Sequence, residues 1–116
     1  MKYLSTGLLG LILTVGCVPP KTTVTPLSSK TYSPRPQDCD IQILTQPPSN
    51  RKYEEIAILN TVTGDGGRDL NAMLPSIKMV ACGLGADAIL IKNVEPGDPA
   101  QNAVGKAYTV AIKFLD

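Results

Sequence analysis

The chain has 116 residues, 43% of them hydrophobic and 18% charged, with a formal net charge of +1 and no histidine. That length holds one small domain and no more. The charge balance carries neither the basic footprint of a nucleic-acid binder nor a polybasic membrane patch, so nucleic acid is not expected as a partner.

Met1, Lys2 and Tyr3 form a short, weakly basic start, Leu4 to Val15 is apolar apart from Ser and Thr, and Gly16 precedes Cys17. This is the layout of a secretory signal, and it falls short of the ~20 residues that span a bilayer as a helix. The stretch Leu13-Thr14-Val15-Gly16-Cys17 resembles the bacterial lipobox. The resemblance implies removal of residues 1–16, a lipid on the Cys17 thiol and acylation of the new amino group. An A-x-A-like site for ordinary cleavage is missing. One acyl chain holds only marginally, at about 0.8 kcal/mol per buried CH₂, whereas two or three are effectively permanent. Val18, and not Asp, follows the cysteine. Similarity to sorted lipoproteins then implies the periplasmic side of the outer membrane in a cell that has two membranes.

With Cys17 lipidated, Cys39 and Cys82 remain as an even pair in a compartment that permits disulfides. A Cys39–Cys82 bridge between the start of the first strand and the end of the helix is therefore expected, two buried thiols being the alternative. Val18 to Asp38 contains Pro19, Pro20, Pro26, Pro34 and Pro36 with interspersed Thr and Ser. Little in it can pack, so residues 17–38 read as a lipidated N-terminus and disordered tether, with glycosylation or a protein-binding strip as less common meanings. At ~3.1 Å per residue, such a tether lifts the domain about 65 Å from the bilayer in the extended limit.

The domain is expected over residues 39–116. Ile41 to Thr45 is a short candidate strand stopped by Pro47-Pro48, and Tyr53 to Val62 a second, apolar on both faces through Ile56-Ala57-Ile58-Leu59. Leu70, Leu74, Ile77, Ala81 and Leu84 recur at helical spacing, with Asp69 as N-cap and Gly83 and Gly85 as stop signals. Pro75 leaves two readings, a kinked helix or, favoured here, a regular part starting near Leu74 with the proline in its first turn. Ala86 to Val94 reads as a third strand, Glu95 to Gly105 as a long polar loop, and Ala107 to Phe114 as a last strand of clear alternation. The order ββαββ predicts an α+β two-layer sandwich, one helix on a four-stranded sheet.

Enzyme signatures are absent from the sequence. Adjacent Glu54 and Glu55 point to opposite faces of a strand and cannot flank one bond. Gly64-Asp65-Gly66-Gly67-Arg68 lacks the phosphate-loop pattern. It also lacks calcium-loop spacing, and two cysteines without histidine make a poor zinc site. No cofactor is expected.

The stretch Ala81-Cys82-Gly83-Leu84-Gly85-Ala86-Asp87-Ala88-Ile89-Leu90 resembles the helix-to-strand junction of RcsF-like and YbjQ-type small envelope lipoproteins. Its physical sense is a helix capped by Gly85 in a left-handed conformation, with small alanines that let the chain re-enter the sheet closely. The resemblance implies a non-catalytic envelope module that binds another protein or the cell wall as an adaptor or stress sensor. A small-ligand carrier or enzyme using the Glu95 to Gly105 loop is the other class. If Tyr108, Val110, Ile112 and Phe114 pack under the helix, the open face of the sheet shows Ala107, Thr109, Ala111 and Lys113 beside Leu90. That face is the expected site for a partner or for self-association.

Overall fold

The structure, a computed structural model, describes residues 19–66, 69–101 and 103–116. The signal and Cys17 lie outside them. The elements are β1 (Lys21–Pro26), β2 (Gln42–Leu44), β3 (Tyr53–Gly66), α1 (Leu70–Gly83), β4 (Ala88–Glu95) and β5 (Val104–Phe114), with a 3₁₀ turn at Pro99–Gln101. They form an α+β fold in which α1 packs on one face of a mixed five-stranded sheet of order β1-β3-β5-β4-β2. β5 lies at the centre, antiparallel to both β3 and β4, while β2 joins β4 in parallel.

The fifth strand is the main departure from the expected four-stranded ββαββ order. Lys21 to Pro26, expected as tether, pairs antiparallel with β3 from Lys21 opposite Val62 to Pro26 opposite Ala57. Thr22 and Val24 alternate toward the helix. The Thr22 hydroxyl lies 2.9 Å from that of Thr61 and 2.8 Å from that of Ser76, joining β1, β3 and α1. Pro26 is tolerated because β1 is an edge strand. From Leu27 to Asp40 the chain forms a strap across the C-terminal end of α1. The Leu27 N–H donates to Ile56 O at 3.0 Å and the Arg35 N–H to Cys82 O at 2.8 Å.

α1 begins at Leu70, a turn earlier than the favoured reading, and Asp69 caps it by accepting from the Ala72 N–H at 3.2 Å. Pro75 sits inside the helix on its solvent side, where Asn71, whose carbonyl loses its donor, is also exposed. Met73, Ile77, Ala81 and Cys82 are buried against the sheet.

The two faces of β5 are reversed from the expectation. Ala107, Thr109 and Ala111 lie beneath the helix with Leu59 and Ile89, and they are buried. Val110 and Ile112 point the other way and form a second cluster with Ala88 and Leu90, edged by Leu44, Tyr53 and Phe114. The physical reason is room. Small side chains at the centre of the sheet let the helix approach closely, and the larger ones fill the opposite side. The 45–52 connection lies at that side's edge, where Arg51 stands over the Phe114 ring, 3.7 Å from its centroid.

Candidate functional site

The expected partner face does not exist as a surface. Ala111 and Thr109 are fully buried, Thr109 donating to Leu59 O at 3.2 Å, and Ala107 lies under the helix. Leu90 does face away from the helix, but it is buried in the second cluster. Lys113 is half-buried beside the strap, 3.5 Å from the Asp87 carboxylate. These five residues therefore do not share an accessible face. The phase of β5 is the cause: its small side chains face the helix and its larger ones face away.

The Cys39–Cys82 disulfide is present, with a Cα–Cα distance of 6.0 Å, and it fastens the strap to the end of α1. Around it the residues 81–87 are arranged to receive the strap. Gly85 has φ +79°, and a Cβ there would stand 2.7 Å from Ser33 O and 2.8 Å from Tyr32 Cβ. Both the left-handed backbone and the close approach require glycine. The Arg35 guanidinium donates to Ala86 O at 2.8 Å and approaches the Asp87 carboxylate at 3.5 Å. Asp87 also accepts from the Phe114 N–H at 2.9 Å.

The strap ends of this cluster meet at Glu54, which accepts from the Tyr32 hydroxyl and, at 2.9 Å, from the Ser28 hydroxyl. These bonds, the one from Tyr32 first, hold the Glu54 carboxyl below its ordinary value. The same bond pushes the Tyr32 hydroxyl up. A cleft of about 260 Å³ lies alongside, lined by Val24, Tyr32, Ile56 and Leu84 among others. The charged groups here serve one another, which suits a fastening better than a reaction centre. Among the described residues, no three His, Cys, Asp or Glu side chains gather closely enough to hold a metal ion.

An accessible, chemically varied surface lies elsewhere, on the half of the sheet remote from both the helix and the second cluster. Register places Thr23, Asn60, Tyr108 and Asn93 in one row across β1, β3, β5 and β4. Lys21, Val62, Lys106 and Glu95 form the next row toward the sheet's end. Tyr108 is 40% exposed and Val62 39%, both high for large apolar side chains in a sheet. A cleft of about 320 Å³ opens between them, lined by Asn60, Asn93, Glu95 and Lys106 as well. A phenol ring flanked by two primary amides offers apolar contact together with donors and acceptors.

The Glu95 to Gly105 loop borders this cleft but is shorter than expected, because β4 runs to Glu95 and β5 starts at Val104. The loop closes on itself. The Asp98 N–H donates to Ala103 O at 2.9 Å, and the Ala103 N–H to Asp98 O at 3.0 Å. Tyr108 and Asn93 were legible as exposed polar positions only once the phase of β5 was known.

The architecture is thus that of a small α+β domain, with one helix on a mixed sheet and a disulfide-fastened N-terminal strap. No protein-family model and no curated protein matches the sequence. Among solved structures, the fold is similar to that of the Francisella virulence factor FvfA. The TM-score is 0.61 at 16% identity, over 79% of this chain and 96% of that one. At that identity the likeness is one of fold.

Proposed function

We propose that the protein is a lipid-anchored envelope protein whose folded part is a non-catalytic binding module, an adaptor or stress sensor that contacts another envelope protein or the cell wall. The lipobox-like Leu13 to Cys17 supports the anchor, and the Ala81 to Leu90 junction supports the likeness to RcsF-like and YbjQ-type lipoproteins. One observation carries the choice of surface. The row Thr23-Asn60-Tyr108-Asn93 exposes an aromatic ring among uncharged hydrogen-bonding groups, a composition suited to contact rather than to acid–base work. The expected contact at Ala107, Thr109, Ala111 and Lys113 is replaced by this row.

In-cell crosslinking from a photoreactive residue at Asn93 tests the reading. Tyr108→Ala should reduce the captured adduct about tenfold or more while circular dichroism stays unchanged, as befits loss of a buried aromatic anchor. Undiminished capture by Tyr108→Ala would remove this face from consideration. The 320 Å³ cleft on the same face supports the small-ligand alternative, for which a thermal shift with a soluble ligand, abolished by Tyr108→Ala, is the expected signature. A self-crosslinked dimer from Asn93 would assign the face to a second copy.

A further inference from the structure

The strand formed by Lys21 to Pro26 changes how far the domain can stand from its anchor. Only Val18, Pro19 and Pro20 separate Cys17 from Lys21, and a chain of that length reaches about 14 Å when fully extended. A tether of 65 Å is not available. Lys21 is fixed opposite Val62, at the end of the sheet that also holds Lys106, Glu95 and the 96–103 loop. The opposite end carries Pro26, Tyr53, Phe114 and the Cys39–Cys82 disulfide. Val62 and Tyr53 lie nine residues apart along β3, so the two ends are separated by roughly 30 Å at the strand rise per residue.

We infer that the domain rests against the bilayer on the Lys21, Val62, Lys106 end of the sheet, with the disulfide end directed away. This rests on the lipid anchor at Cys17 proposed above. A lipid surface is the occupant that the chain length selects, because a short linker keeps this end at high effective concentration next to the headgroups whatever its intrinsic affinity. Exposed Val62 with Lys21 and Lys106 suits an interface that is apolar below and anionic at its surface. Glu95 opposite Lys106 keeps the attraction weak, so the linker and not charge sets the orientation. The Tyr108 row then lies just above the membrane, which makes a partner embedded in or lying on the same bilayer its natural contact.

The test uses the full lipidated protein in vesicles of phosphatidylethanolamine and phosphatidylglycerol (3:1) containing a headgroup nitroxide lipid. A single fluorophore is placed through Lys106→Cys or through Lys52→Cys, both exposed, with the disulfide left oxidised. Glu95→Cys and Asn50→Cys form a second pair should either of the first misfold. Quenching at the 106 or 95 position is expected to exceed that at 52 or 50 by about fivefold or more. Equal quenching at both ends, with the protein floating with the vesicles, would overturn the orientation and leave the anchor standing. A protein that does not float with the vesicles would overturn both.

Discussion

Gly85 shows how much a single residue can be asked to do. Its left-handed backbone ends the α1-to-β4 turn, and its missing side chain admits Ser33 O and the Tyr32 Cβ. Gly85→Ala should lower stability by about 1–3 kcal/mol, read as a fall in the urea midpoint at unchanged slope. A variant as stable as wild type would mean that the strap moves aside at no cost. Glycine as the helix stop was readable from sequence; the close approach was not, because its partners Tyr32 and Ser33 lie far earlier in the chain, in a segment read as unstructured.

At Glu54 and Tyr32 the residue scale meets pH. The folded Glu54 carboxyl sits below its ordinary value of 4.5, so its contribution is full above that pH and is lost as pH falls through the lower folded value. Tyr32 is raised above its ordinary 10.0, so its contribution is full below that pH and disappears as pH rises through the still higher folded value. The plateau therefore runs from 4.5 to 10.0. The effect is small because both groups face solvent. The urea midpoint of wild type should fall toward that of Glu54→Gln below the plateau; curves that stay parallel through pH 4.5 would deny the bond a role.

The strap is attached to α1 covalently, through the Cys39–Cys82 disulfide. Cys39 and Cys82 stand 43 residues apart, and closing a loop of that length contributes about 4 kcal/mol on the chain-entropy model. Replacing both cysteines with serine should cost several kcal/mol in urea unfolding and expose the strap to proteolysis between Ser28 and Pro36 before the sheet. A strap equally resistant in the serine variant would show that Arg35 and Tyr32 suffice to hold it. The pairing itself was legible from cysteine arithmetic. β1 was not, because the prolines around it outweighed a four-residue run, Thr22-Thr23-Val24-Thr25, that is itself β-branched at every position but cannot be stable alone. α1 and β5 were legible as elements from their periodicity. The phase of β5 was not, since Ala, Thr and Ala on one face and Val, Ile and Phe on the other both satisfy alternation, and the choice depends on how closely the helix sits.

For the whole molecule, the proposed anchor turns on the chemistry of Cys17. Mass spectrometry of the membrane fraction should find a mature chain that begins at Cys17 and carries diacylglycerol and an N-acyl group. A mature chain starting elsewhere would withdraw the anchor and with it the membrane-facing orientation. The small α+β architecture was anticipated by the alternation of strand and helix periods, whereas the membership of β1 in the sheet, which sets the domain's reach from Cys17, came only from the register with β3.

β5 is paired on both sides and is made after every other strand. Until it emerges, β3 can pair only with β1, and β4 only with β2. The growing chain is therefore two separate ribbons with apolar, unpaired edges along Ile56 to Leu59 and Ala88 to Ile91, the sort of edge that invites pairing with a neighbouring chain. The last eleven-residue strand joins the two ribbons into one sheet. A truncation that removes β5 should leave two unjoined ribbons with aggregation-prone edges in place of a smaller folded domain.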